Sequence, residues 1–373
     1  MNFQISEVTS KSDLKAFIKF PFKLYKGVSS YVPPLLSFEL STLDPKKNPA
    51  FEQANAKYWV VKKDKEIVGR IAGILLHQEF EEKKLVRFGW VDFIDDKEVF
   101  TLLMDAVIEW GKIQGAQSLH GPMGFTDLDF EGALIEGFEH TATQATIYNA
   151  PYYQRQYEDF GFKKAVDWIE GRGNIPGKTS KKLDRIASIC ESRFNLKAVK
   201  FKKNKDIKQY APAVFNLLNK SYSHLYGYYP LSSKQIDYYI KQYFDFIKKE
   251  FISIIVNDQH EVVGMAIALP SISEALKKAN GHLFPFGFIH ILKDFNKNTL
   301  MDLFLIGVDP EYQKLGAHAI IFNDILSNFI QLGVNQIATG PMLETNNGVM
   351  NLWHEFDAEV TGTLRRRCYI KKI

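Results

Sequence analysis

Apolar and polar positions along this chain form short runs that switch between strand and helix spacing, and the same succession of runs occurs twice. In the first half, residues 58–61, a polar turn at 62–65 and residues 66–74 predict a β-hairpin. In the second half, residues 252–256, 257–260 and 261–268 repeat it, with Gly69 and Gly264 each following a valine. Downstream, residues 100–114 carry apolar positions at helical spacing, Gly115 stops the helix, and 116–120 run into Gly121-Pro122-Met123. Residues 319–332, Gly333, residues 334–339 and Gly340-Pro341-Met342 restate that order. Each copy closes with a helix and a strand, at 149–161 and 162–168 and again at 347–356 and 359–370.

This order predicts an α/β (α+β) chain of two tandem domains, each a mixed central β-sheet flanked by helices. Residues 171–178 are the most linker-like stretch. The expected division is a first domain at 1–175, a linker and helix at 176–194, and a second domain at 195–373. Gly177-Lys178-Thr179 imitates a P-loop, but that pattern needs glycine where Arg172 stands. The second copy is longer than the first between hairpin and Gly-Pro-Met, by an apolar insertion within 271–299.

Composition narrows the function classes. With 373 residues there is chain enough for two cores, and 47 basic against 43 acidic residues leave a net charge of only +4, which disfavours nucleic acid as a partner. Two cysteines, Cys190 and Cys368, exclude a disulfide framework and a four-cysteine zinc site. His224, His282, His290 and His318 lack metal-ligand spacing, so no metal is expected. No basic leader precedes an apolar run and no stretch reaches about 20 uninterrupted apolar residues, so the expected location is cytoplasmic or peripheral at the inner membrane surface.

The stretch most telling of chemistry is a strand over 302–308 followed by Asp309-Pro310-Glu311-Tyr312-Gln313-Lys314-Leu315-Gly316-Ala317-His318 and a helix. A strand that enters a tight loop with glycine at the start of a helix aims backbone N–H groups and the positive helix end at one point, where a pyrophosphate could bind. A plain strand-to-helix turn is the alternative. In the first copy the matching loop carries Asp95, Asp96 and Glu98, which would repel a pyrophosphate and read as a helix cap with first-turn charges.

With its repeat and Gln313-x-x-Gly316, the chain resembles the GNAT superfamily of N-acyltransferases, whose loop reads Gln/Arg-x-x-Gly-x-Gly/Ala. His318 stands where that family prefers a small residue. Segments such as Tyr31-Val32-Pro33-Pro34-Leu35, residues 44–49 and Tyr148-Asn149-Ala150-Pro151-Tyr152-Tyr153 resemble a two-domain bacterial branch of it. The resemblance implies acetyl-CoA or a longer acyl-CoA as co-substrate. It places that donor on the second copy at Ile306, Gly307, Val308, Gln313, Lys314, Leu315, Gly316, Ala317 and His318, with Asn347 on the next helix. It implies a base near Asp302, with Glu344 as the second candidate, and an acid among Tyr226, Tyr228 and Tyr229, of which Tyr228 is the choice carried forward. Family members place a tyrosine acid in a Tyr-Glu-x-x-Gly-Phe run; the first copy keeps it from Tyr157 to Phe162, whereas the second has Trp353 there.

The implied reaction is acyl transfer to an amine, which needs a neutral amine, an oxyanion donor and an acid for the thiolate. The branch resembled includes proteins linked to long-chain N-acylation of sphingoid-type amines. The insertion, with Leu283, Phe284, Phe286, Phe288, Ile289, Ile291, Leu292 and Phe295, is therefore read as core packing, an acyl tunnel or a membrane contact over 281–295. Two other readings are a CoA- or partner-binding protein without turnover and an aminoacyl-tRNA-dependent transferase.

Overall fold

The computed structural model describes residues 3–244, 247–297, 299–346 and 359–373. In chain order the elements are β1 (Phe3–Glu7), α1 (Lys11–Leu24), α2 (Leu36–Thr42), β2 (Ala54–Lys63), β3 (Glu66–Leu76), α3 (His77–Lys83), β4 (Leu85–Phe93), α4 (Lys97–Gln114) and β5 (Ser118–Gly121). There follow β6 (Ala133–Glu136), α5 (Tyr152–Asp159), β7 (Lys163–Asn174), α6 (Lys181–Phe194), β8 (Lys197–Ala198), α7 (Ala211–Tyr222), α8 (Ser233–Tyr243), β9 (Ile252–Val256) and β10 (Val262–Pro270). The remainder is α9 (Ser273–Ala279), α10 (Gly287–Lys297), β11 (Leu300–Val308), α11 (Pro310–Gln313), α12 (Ala317–Gln331), β12 (Gln336–Thr339), β13 (Met342–Leu343) and β14 (Glu359–Lys372). No described helix is long and apolar enough to cross a membrane.

The chain forms two compact units that do not follow one another simply in sequence. One comprises Met1–Ile169, Ile272–Leu292 and Leu364–Ile373, the other Glu170–Ser271 and Lys293–Thr363.

In the first unit, β1, β2, β3 and β4 pair antiparallel in succession, and β4 then pairs parallel with β5. The end of β14 pairs antiparallel with β5, Tyr369 opposite Gly121. Helix α4 presents Val99, Phe100, Leu103, Met104, Val107 and Trp110 to the sheet, a three-and-four spacing that aligns them on one face. Each such side chain contributes about 1.5–3 kcal/mol on burial. Gly115 ends α4 at φ 89°, as its position in the sequence predicts.

The second unit repeats the plan. β8, β9, β10 and β11 pair antiparallel, β11 pairs parallel with β12, and β12 pairs antiparallel with the end of β7. Helix α12 lies against β8, β9 and β10 and packs on α6.

One feature recurs in both units and positions the site. β4 pairs with β5 only over Leu85–Arg87, and β11 pairs with β12 only over Leu300–Leu303, although β4 and β11 run on for several residues. Each short partner ends at Gly-Pro, and proline has no N–H with which to continue a ladder. A bulge accompanies each parting: Ile71 faces both Trp90 and Val91 of β4, and Phe304 is the extra residue of β11.

Two sequence expectations need correction. Residues 171–174 are not linker but the end of β7, where Gly173 pairs with Ile337; glycine weakens a strand without breaking it when a neighbour supplies the ladder. The insertion is not core. None of its eight large apolar side chains is buried, and Phe284, Phe286 and Leu292 are 78%, 68% and 57% exposed. The helix expected over 347–356 lies outside the described residues.

Candidate functional site

In the second unit, β11 leaves β12 after Leu303 and continues from Phe304 to Val308, about 16 Å of extended backbone with β10 as its only strand partner among the described residues. A strand edge of this kind pairs with amide groups on an extended ligand.

The loop that follows is folded back on the strand. Asp309 caps α11 by accepting from the Glu311 N–H at 3.1 Å and is held by Lys220 at 2.7 Å. The Gln313 side-chain amide donates to the Val308 carbonyl at 3.1 Å. Gly316 then turns the chain at φ 80° into α12. A side chain at Gly316 would meet the Cys190 sulfur at 2.5 Å, so close helix packing by α6 also demands glycine here. Among the described residues no side chain caps α12, and its first turn holds no acid, so the positive end of this 15-residue helix lies uncompensated a few residues after the end of β11. Gln313 and Lys314 are exposed, Leu315, Gly316 and His318 partly so, and Ala317 is buried.

The remaining predicted residues lie at different points of this frame. Asp302 is 2% exposed, between Leu269 and Ala338 and one residue before β11 loses its partner. It stands roughly 13 Å along the strand from Ile306. The Tyr228 hydroxyl donates to the Asn219 side chain at 2.6 Å, and its ring meets Tyr222 edge-on at 5.7 Å. Tyr222 in turn donates to the Ile306 carbonyl at 2.9 Å. The structure thus links Tyr228 to Ile306 and leaves Asp302 apart from both. Glu344 sits partly buried in the turn after β13, and Asn347 lies outside the described residues.

Tyr222 and Asn219 were not singled out by sequence reasoning. Their spacing on α7, three residues apart, puts them on one face and was the available signal. Ser221, beside them, lies 2.9 Å from where a side chain at Gly307 would begin, which explains that glycine.

The corresponding opening in the first unit is filled. Tyr25 donates to Asp92 at 2.9 Å and meets the Tyr153 hydroxyl at 2.7 Å; the Phe93 N–H donates to Tyr153 at 3.1 Å, and the Tyr153 ring stacks on Phe93 at 4.2 Å. Arg70 pairs with Asp92 at 2.7 Å, both buried. Asp96 caps α4 by accepting from the N–H groups of Glu98 and Val99, as the loop's carboxylates predicted. Tyr157, of the Tyr-Glu-x-x-Gly-Phe run, is fully buried against Tyr369, and burial pushes its hydroxyl well above the usual range. On β14, Arg366 is buried, while Arg365 and Arg367 both donate to Asp167.

A search of known protein families finds none whose model matches this chain. Among curated proteins, Protein YghO of Escherichia coli K12 is 29% identical over 375 residues, spanning 98% of this chain and 94% of that protein. A bacterial ceramide synthase of Caulobacter vibrioides is 25% identical over 308 residues, spanning 78% of this chain and 76% of that protein. Among solved structures, a tandem GNAT protein from the clavulanic acid biosynthesis pathway superposes with a TM-score of 0.55 at 11% identity, covering 100% of this chain and 98% of its own. The fold is therefore a tandem GNAT fold, a mixed α/β architecture carried twice.

Proposed function

We propose that this chain is an N-acyltransferase that moves an acyl group from a coenzyme A thioester to an amine, with the donor on the second copy. The observation that carries this reading is the juxtaposition of a β11 segment, unpaired by a parallel neighbour among the described residues, with the start of α12, which no described side chain caps. The edge from Phe304 to Val308 suits the two amides of a pantetheine arm, and the N–H groups of Ala317 and His318 at the start of α12 suit the pyrophosphate. The tandem GNAT fold agrees with it.

The donor supplies a thioester carbon; the amine nitrogen forms the new amide bond as the carbon–sulfur bond breaks, and the thiolate takes up a proton. Asp302 is the candidate to accept the proton that the amine loses, standing just before the strands part. Tyr228 is the candidate acid, reaching β11 through Tyr222, and it must release Asn219 to act.

A lipid-type amine is the acceptor we favour. A relative that spans most of this chain is named a ceramide synthase, and ceramide is an N-acylated lipid amine. The exposed Phe284, Phe286, Phe288, Ile289 and Leu292, with Lys293 and Lys297 beside them, form an apolar and basic surface suited to an anionic lipid interface.

Calorimetric titration with CoA, acetyl-CoA and palmitoyl-CoA tests the donor assignment. The informative variant is His318→Glu rather than a change at Gly316, whose φ and contact with Cys190 would disturb the fold. A glutamate in the first turn of α12 suits the helix and repels pyrophosphate. Binding should weaken at least tenfold in this variant, while Asp302→Asn binds normally and turns over roughly a hundredfold more slowly. Equal CoA affinity in wild type and His318→Glu would overturn the donor site.

A further inference from the structure

We propose that the first unit holds a binding cavity for a primary ammonium group, walled by Trp90, Tyr148, Tyr153 and Tyr157 with Glu131 as the counter-charge. The inference rests on this cavity alone and stands or falls separately from the acyl-donor reading.

The cavity measures about 30 Å³, and Asp92, Phe130, Ile147 and Asn149 also line it. That volume admits one group the size of a water molecule. An ammonium is of that size and a trimethylammonium is not. Aromatic walls are what a cation tolerates when it leaves water. Phe130, Glu131 and Ile147 are each partly exposed, which gives an alkyl chain a way out.

Two polar atoms at the cavity are buried without a hydrogen-bond partner among the described residues, Glu131 Oε2 and the Tyr157 hydroxyl, and Tyr157 is fully buried. Buried polar groups are seldom left so, and each is an acceptor that an N–H of an ammonium can reach. The surrounding charge points the same way. Asp127, Asp129 and Glu131 stand on one short loop. Of the cations that face Glu131, Arg87 is gripped by Glu79 at 2.6 and 3.2 Å, whereas the buried Arg366 donates to the neutral Ile147 carbonyl and keeps its charge, one cation against the three carboxylates of the loop. Asp92 on β4 is already paired with Arg70.

The loop therefore carries more acid than base, and it responds by holding protons. Burial, reinforced by Asp127, pushes Glu131 well above the usual carboxyl range against the pull of Arg87 and Arg366; burial lifts Asp129 to about 6. A proton bound so firmly occupies the place that an organic cation would take.

The test is calorimetric titration of the full chain with hexylammonium and with hexanol at pH 6 and pH 8, in two buffers of different ionisation enthalpy. Hexylammonium should bind at least tenfold tighter than hexanol. Because Glu131 must lose its proton to receive the cation, binding should tighten from pH 6 to pH 8 and release protons, seen as a buffer-dependent heat. Glu131→Gln should lose at least tenfold in affinity, and Tyr157→Phe a few-fold. Glu131→Gln replaces a protonated carboxyl by a neutral amide of nearly the same shape, so its thermal melting should match wild type and certify the fold. The His318→Glu chain should still bind hexylammonium, which separates this site from the donor. Equal binding of hexylammonium and hexanol, equal affinity in Glu131→Gln, or no heat at millimolar ligand would each overturn the proposal.

Discussion

The two copies share a strand that outruns its parallel partner, and they differ in what occupies the gap. In the first, α1 and α5 send Tyr25 and Tyr153 onto β4, Asp92 ties them to Arg70, and Asp96 caps the helix beyond. In the second, Phe304 to Val308 have no parallel partner and α12 begins without a side-chain cap among the described residues. One architecture thus yields a joint tied by buried side chains in one place and, in the other, a strand segment with no parallel neighbour among the described residues, two of whose carbonyls are met by Tyr222 and Gln313. A fold of this kind does not by itself make a site; the side chains brought to the parting strands decide it.

The comparison breaks most sharply at Asp92. Its carboxylate holds Arg70 and two tyrosines in a fully buried setting, so Asp92→Asn should cost about 3–5 kcal/mol in denaturant unfolding by leaving the arginine unbalanced. A loss below 1 kcal/mol would mean that the first gap is not held by this pair. The second copy has its own steric keystone. Gly316→Ala should destabilise by about 1–2 kcal/mol through its left-handed backbone and the Cys190 sulfur, and adding Cys190→Ala should restore part of the loss. Additive effects of the two changes would show that the sulfur does not press on this position. The smallest effect is expected at the caps: Asp96→Ala should cost about 1 kcal/mol, because two N–H groups of α4 lose their acceptor. Placing an acid at His318 should show the converse, a modest gain in stability on α12.

Much of this frame was legible beforehand. The hairpins follow from valine-rich runs around polar turns, and Gly115 and Gly333 mark helix ends at φ 89° and 72° as glycines at such positions do. The parting of the strands was half visible: Gly121-Pro122 and Gly340-Pro341 stood out as repeated words, but only pairing partners reveal where a proline leaves its neighbour unpaired. The insertion was misjudged because an apolar run reads the same whether it faces a core or solvent. Residues 124–132 lack periodicity altogether, so the burial that raises Asp129 and Glu131 comes from distant elements and leaves no local trace. Tyr222 was passed over for its neighbours, since a hydroxyl's partner on another strand cannot be read from spacing.

The first unit is assembled from the two ends of this sequence. Its sheet includes the end of β14, whose Tyr369 is buried against Tyr157, yet Leu364–Ile373 follow the whole of the second unit along the chain. During synthesis the earlier strands must therefore wait on the order of ten seconds or more before their last partner emerges from the ribosome. Through that interval β5 lacks its β14 partner and the Tyr157 ring lacks its cover. Slower translation should therefore lengthen the exposure of these groups to aggregation.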